Sequence, residues 1–178
     1  DYQIDENMDA DEELEEENIR RRISSILEMI NESSEWKLEW WSLYKAYTLA
    51  LDDYRHDRVL FLGDAAHLVP IFGVRGLNSG IADAMNAAWK LAYVVHGFAD
   101  ERLLDSYSPE RRGATLDVFD NASKSTKFMT PPTRGHQLMR DAALSLAISH
   151  EFTRPLINPR QSQPYTYIDS VLTTFRNR

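Results

Sequence analysis

Three features of the sequence predict an α/β to α+β fold with a helix-rich C-terminal half. A compact apolar run, Arg58-Val-Leu-Phe-Leu62, ends at Gly63 and has the profile of a strand buried on both faces. The period then changes. Leu77, Ile81, Ala84, Met85, Ala88, Leu91, Ala92 and Val95 recur at helical spacing, with Asp83, Asn86 and Lys90 on the opposite side. Further helical patterns follow to about residue 149. Strands of the first kind belong to parallel or mixed sheets covered by helices.

Taken in order, Asp1-Tyr-Gln-Ile4 reads as the end of a strand. A helix is expected over about 10–31, where Leu14, Ile19, Ile23, Ile26, Leu27 and Ile30 share one face. Its first turns are acidic and its middle carries Arg20, Arg21 and Arg22, an order that complements the helix dipole. Residues 36–51 alternate loosely and favour one partly buried strand or two short ones. His56-Asp57 reads as the turn before the 58–62 strand. The long helix takes Asn78 or Ser79 as its N-cap and stops at Gly97. A short helix near Arg102–Tyr107 precedes one capped by Ser108, with Pro109 at its first position, running to about Met129 before Pro131-Pro132. Thr133 to about Ser149 forms another helix. From Phe152 onward Pro155, Pro159 and Pro164 predict an extended, irregular tail.

Bulk properties narrow the function classes. The 178 residues suffice for one sizeable domain, and 43% hydrophobic content is ordinary for a protein with a real core. The absence of cysteine excludes disulfides, thiolate metal sites and a cysteine nucleophile. No apolar stretch approaches the roughly 20 residues that span a bilayer. The start of the chain is acidic, unlike a signal peptide, so the expectation is a soluble cytoplasmic protein that does not act at a membrane. The net charge of -8 is local: residues 1–17 hold ten of the 28 acids and no Lys or Arg. The bases elsewhere form no acid-free stripe, which argues against nucleic-acid binding.

The chemistry concentrates where the 58–62 strand meets the long helix. Ligands in α/β sheets sit beyond the carboxyl ends of strands, which is where Asp64 falls. A carboxylate there can accept hydrogen bonds from ligand hydroxyls. The loop Gly73-Val-Arg-Gly-Leu-Asn78 leads straight into the helix. Its glycines let backbone approach a ligand, and the helix N-terminus favours an anion. Spacing alone thus describes a site for a polyhydroxylated, partly anionic ligand; the alternative is an ordinary strand–loop–helix with a structural aspartate. His67 beside Asp64 lacks a third metal ligand and reads as a packing or capping histidine.

The order Arg58-Val-Leu-Phe-Leu-Gly-Asp-Ala-Ala-His67, Pro70, then Gly73-Val-Arg-Gly-Leu-Asn-Ser-Gly-Ile-Ala-Asp-Ala-Met-Asn-Ala-Ala-Trp-Lys-Leu-Ala92, closely resembles the second FAD motif of the group A FAD-dependent aromatic hydroxylases, the phenol-hydroxylase and p-hydroxybenzoate-hydroxylase type. The resemblance is dense over 54–112, through Leu104-Asp-Ser-Tyr-Ser-Pro-Glu-Arg-Arg112. It weakens outside, where Leu38-Glu-Trp40 and Ile157-Asn-Pro-Arg-Gln-Ser162 are similar to parts of the phenol-hydroxylase group.

That resemblance implies part of a glutathione-reductase-like FAD-binding domain together with the end of a mixed-sheet substrate domain. Residues 1–53 would close the substrate domain, 54–130 would carry the second FAD motif and following helices, and 131–178 a helix and tail. The implied cofactor-binding residues are Gly63, Asp64, Pro70, Gly73, Gly76, Leu77 and Asn78. Asp64 would bond the FAD ribityl chain, and Pro70 with the loop to Gly76 would lie against the isoalloxazine. Backbone N–H groups around Leu77 and Asn78 would face its N1–C2 carbonyl edge. Val74-Arg75 departs from the usual family pattern, and the role of Arg75 stays open. Trp36, Trp40, Trp41 and Tyr44 would serve either as core or as the wall of an aromatic-substrate pocket.

The implied activity is hydroxylation of a phenolic or aromatic substrate with O2, FAD and NAD(P)H as reductant. No residue presents itself as a catalytic acid or base. The Gly-x-Gly-x-x-Gly turn and the central Asp-Gly motif of the family do not occur here, so the chain is expected to be a piece whose partner is an N-terminal half carrying the glycine-rich FAD motif. The 58–62 strand would then lack neighbours and expose apolar edges. A homo-oligomer is compatible with the sequence. Two other readings remain: a flavin halogenase or reductase relative, and a non-enzymatic assembly domain with an exposed acidic helix.

Overall fold

The structure, a computed structural model, describes residues 4, 7–45, 47–70, 75–157 and 164–174. The first three residues, the loop stretch 71–74 that includes Gly73, and 158–163 with most of the Ile157–Ser162 resemblance lie outside them. The chain divides into two compact units, Asp1–Lys45 and Ala46–Arg178.

In the first unit the expected acidic helix forms as two pieces, α1 (Ala10–Glu13) and α2 (Glu16–Met29). Asp9 caps α1 by accepting the Asp11 N–H at 2.9 Å. Arg20 pairs with Glu16 one turn earlier at 2.7 Å and sits 5.3 Å over the Trp36 ring. Ile19 is the buried residue of α2. Residues 33–45 are irregular, and the strand expected over 36–51 is reduced to Leu49–Ala50 in the second unit. Loose alternation fixes no strand without a neighbour to take its backbone hydrogen bonds. Trp40 (78% exposed) and Tyr44 are not core residues.

Among the described residues, the second unit holds four two-residue strands in two antiparallel pairs. β1 (Leu49–Ala50) pairs with β4 (His67–Leu68), and β2 (Arg55–His56) pairs with β3 (Val59–Leu60). Asp57, at φ +54°, turns the β2–β3 hairpin, a conformation aspartate tolerates better than most residues. The 58–62 run is therefore a hairpin arm and not a strand buried on both faces. Val59 is 54% exposed, because among the described residues β3 has a neighbour on one edge only.

Helices dominate the rest: α3 (Gly76–Val95), α4 (Tyr107–Met129), α5 (Arg134–Ala147) and α6 (Arg154–Ile157). The expected short helix near 102–107 is a 3₁₀ turn over Glu101–Ser106. Thr133, where the helix was expected to begin, caps α5 by accepting the His136 N–H. Three boundaries differ from expectation. α3 starts at Gly76 with Arg75 at the cap position, so Asn78 and Ser79 are already inside it. α4 starts at Tyr107, because the Ser108 hydroxyl that would have capped it is taken by the Tyr54 N–H at 2.8 Å. Pro109 still falls in the first turn, where no helical hydrogen bond is lost. The tail begins with a 3₁₀ turn and α6 before becoming irregular over 164–174, since Pro155 sits in a first turn. Among the described residues no helix is long and apolar enough to cross a membrane.

The core of this unit is Tyr54, Ala66, Ala87 and Tyr107, with Leu60, Phe61 and Leu62 packed against it. Both tyrosine hydroxyls are satisfied: Tyr54 donates to Thr115 Oγ1 at 2.9 Å and Tyr107 to the Phe61 carbonyl at 2.8 Å. Burial pushes both phenols above their ordinary range. The largest departure from the sequence pattern is the facing of α3. Its polar residues Ser79, Asp83, Asn86 and Lys90 are buried, while Leu77 (76%) and Met85 (69%) are exposed.

Candidate functional site

The site is built at the turn between Leu62 and His67. Leu62 is extended, and Gly63 then takes φ +56°, a left-handed conformation that costs an L-residue roughly 1–2 kcal/mol. The chain closes a 3₁₀ turn over Gly63–Ala65, with the Ala66 N–H donating to the Gly63 carbonyl at 2.8 Å. The turn rests on the second turn of α3, where a Cβ placed at Gly80 would lie 3.4 Å from the Gly63 Cα. Backbone approaches backbone here because both residues lack a side chain.

Gly63, Asp64 and the start of α3 are thus brought together. Asp64 is exposed, and its carboxylate has no hydrogen-bond partner among the described residues. Among the described residues no side chain caps the N-terminus of α3. Among the described residues nothing stands where a Cβ at Gly76 would lie, and Leu77 and Asn78 are exposed. Pro70 is buried. Gly73 lies outside the described residues. Arg75 stands at the helix entrance with one guanidinium nitrogen, Nη2, buried and without a partner among those residues. An exposed carboxylate on a turn packed against the first turns of α3, a helix with no side-chain cap among the described residues, fits a ligand carrying hydroxyls and a partly anionic edge.

Beneath this surface lies a polar network that includes Asp83, Asn86 and Lys90, the residues opposite the apolar face of the long helix. Asp83 is 0% exposed. Its Oδ2 accepts the Gly63 N–H at 2.9 Å and faces His67 Nε2 at 2.8 Å, while its Oδ1 accepts Arg111 Nε at 2.6 Å. Arg111 also donates to the Ser79 carbonyl at 3.3 Å and the Tyr167 hydroxyl at 2.7 Å. One helical stretch further on, Lys90 and Asn86 both donate to Glu110 Oε2 at 2.7 Å, and Ser170 donates to its Oε1 at 2.5 Å. His67, a packing histidine by sequence, is buried between Asp83 and the Tyr54 ring at 5.9 Å. The available signal was the stripe Ser79, Asp83, Asn86, Lys90, whose spacing aligns four polar groups on one helix face.

Burial alone would raise the Asp83 carboxyl, but hydrogen bonds from His67, Arg111 and Gly63 hold it below the ordinary carboxylate range. Glu110 is held low in the same way, burial being outweighed by Lys90, Ser170 and Asn86. A carboxyl with a lowered folded pKa contributes stability that is full above its unfolded value, about 3.9 for Asp and 4.3 for Glu, and is lost as pH falls through the folded value. Thermal unfolding should therefore show a steep acid limb below about pH 4, and Asp83→Asn should flatten it. An unchanged acid limb in that variant would rule out the assignment.

Residues 2–122 match the family described as "FAD binding domain". The chain is 45% identical over 91 residues to rifampicin monooxygenase of Rhodococcus hoagii, covering 51% of this chain and 19% of that protein. It is 39% identical over 127 residues to the 3-(3-hydroxy-phenyl)propionate/3-hydroxycinnamic acid hydroxylase of Klebsiella pneumoniae (strain 342), covering 71% and 22%. Among solved structures, aklavinone-11 hydroxylase in ternary complex with FAD and aklavinone superposes with TM-score 0.57 at 29% identity, over 67% of this chain and 23% of that one. The p-nitrophenol 4-monooxygenase of Pseudomonas putida DLL-E4 gives TM-score 0.64 at 22% identity, over 88% and 41%, a likeness of fold. These define a flavoprotein of FAD-binding-domain-like fold. The chain belongs to the FAD binding domain family, and FAD is its cofactor. It spans about a fifth of the length of the curated relatives it matches.

Proposed function

We propose that this chain supplies the ribityl and ring contacts of an FAD-dependent monooxygenase that hydroxylates a phenolic or aromatic substrate. The observation that carries the reading is the exposed Asp64 carboxylate, without a partner among the described residues, on a Gly63 turn packed against Gly80 in the second turn of α3. Asp64 would accept hydrogen bonds from the ribityl hydroxyls. Gly76, Leu77 and Asn78 would offer backbone N–H groups to the ring edge where reduced flavin gathers negative charge. Pro70 and Gly73 would border the ring. FAD, when bound, would supply the redox chemistry of monooxygenation, in which NAD(P)H is oxidised, one oxygen atom of O2 enters the substrate and the other leaves as water, while the protein would orient the ring and exclude water.

The reading extends to organisation. Residues 54–130 form the FAD-contacting part of a glutathione-reductase-like domain, 1–53 close a substrate domain, and 131–178 add a helix and tail. The ADP half of FAD would be held by chain beyond these residues, in a cytoplasmic enzyme. The exposed Leu77, Ile81 and Met85 on α3 support this, because they form an apolar face with no cover in the described structure.

The test has two arms. The full-length protein should be yellow, and phenols should stimulate its oxidation of NAD(P)H, with Asp64→Ala weakening FAD retention about tenfold, near the worth of one good hydrogen bond. The 178 residues alone should bind FAD weakly in a fluorescence titration. Nanomolar binding by this piece, or a colourless full-length protein, contradicts the reading.

A further inference from the structure

We propose that Asp83 is a positioning residue for the flavin turn, with His67 and Arg111 as its arms; this rests on the reading of Gly63–Asp64 as the ribityl contact. The geometry is specific. One oxygen, Oδ2, meets the Gly63 N–H at 2.9 Å and His67 Nε2 at 2.8 Å. Gly63 immediately precedes Asp64, and His67 lies three residues after it, so a single carboxylate oxygen grips both ends of the turn that carries Asp64. The other oxygen is fixed by Arg111 Nε at 2.6 Å. Arg111 is itself held by the Ser79 carbonyl and the Tyr167 hydroxyl, which ties the grip to α3, α4 and the 164–174 segment.

A buried carboxylate is costly unless its charge and lone pairs are satisfied, and here three donors converge on it from the Gly63–His67 turn and from α4. Two of the three belong to the turn. A pair serving stability alone has no need to reach the backbone N–H of the residue beside the ligand contact. Asp83 touches no ligand in this reading. It acts through Gly63, whose left-handed backbone is also held by the Ala66 N–H and by contact with Gly80, and so helps set where the turn presents Asp64.

The experiment compares FAD dissociation constants, the visible absorption of bound flavin and apoprotein thermal midpoints in the full-length protein. Asp83→Asn puts an amide NH2 against either Arg111 or the Gly63 and His67 donors, so one arm must release. His67→Phe removes the other arm while keeping a ring against Tyr54. Each should raise the FAD dissociation constant roughly tenfold and shift the bound-flavin absorption. Leu104→Ala, a core truncation in the 3₁₀ turn Glu101–Ser106, should lower the midpoint yet leave FAD affinity within about twofold. If Asp83→Asn does not fold, His67→Phe decides alone. FAD affinity and spectrum unchanged in the variants that fold, while Asp64→Ala weakens binding, overturns the proposal. If Asp64→Ala itself binds FAD normally, the site reading fails and the proposal falls with it.

Discussion

Lys90→Met should destabilise the protein by about 3–5 kcal/mol, the typical cost of breaking a buried ion pair by removing one partner. Lys90 is 0% exposed and its ammonium meets Glu110 at 2.7 Å. Without it Glu110 keeps two neutral donors, Asn86 and Ser170, in a largely buried site. A domain of this size loses roughly 2–4 °C per kcal/mol, so the thermal midpoint should fall by about 10 °C. The sign of the pH dependence adds a second check. With the ammonium gone, burial raises the Glu110 carboxyl instead of leaving it low, so the variant's deficit should widen as pH rises through that raised value. Combining Lys90→Met with Glu110→Gln removes the uncompensated charge and should recover most of the loss, since the two sites are in contact and their effects do not add. A double variant no more stable than Lys90→Met would count against a charge-pairing role.

The second large effect belongs to Tyr54. Its side chain is fully buried among Ala66, Ala87 and Tyr107, so Tyr54→Ala opens a cavity worth about 3–5 kcal/mol. Tyr54→Phe keeps the ring and loses only the hydroxyl. Thr115 still donates to the Arg111 carbonyl at 3.1 Å, so nothing is left as an orphaned donor and the cost should be about 1 kcal/mol. Denaturant midpoints of the two variants separate packing from hydrogen bonding. Near-equal losses would mean that the hydroxyl, and not the ring volume, holds this core. The ring also backs His67, so Tyr54→Ala should loosen the Gly63–His67 turn as well as the core.

Much of this protein was legible from residue pattern. The helical periods at 10–31, 77–95, 108–129 and 133–149 correspond to α2, α3, α4 and α5, with boundaries shifted where a side chain had a better partner elsewhere, as Ser108 had in Tyr54. The Gly63-Asp64 turn was legible because a left-handed turn after an apolar run leaves few alternatives to glycine. The family followed from the ordered motif over 58–92. Strands fared worse. Leu38, Trp40 and Tyr44 alternate as a strand would, yet alternation records which face is apolar and not whether a neighbour exists to bond.

What the sequence by itself determined is the local conformation: where helices run, and that the chain turns at Gly63-Asp64 before the long helix. Which face of α3 turns inward was decided only by tertiary structure. Periodicity shows two faces, apolar and polar, and the usual expectation buries the first. Here the second is buried, because Asp83 and Lys90 find their partners in Arg111 and Glu110 on α4 and in the Gly63 turn, 20 or more residues away in either direction. A charge can be buried only where its partners are, and no local pattern in α3 says where that is.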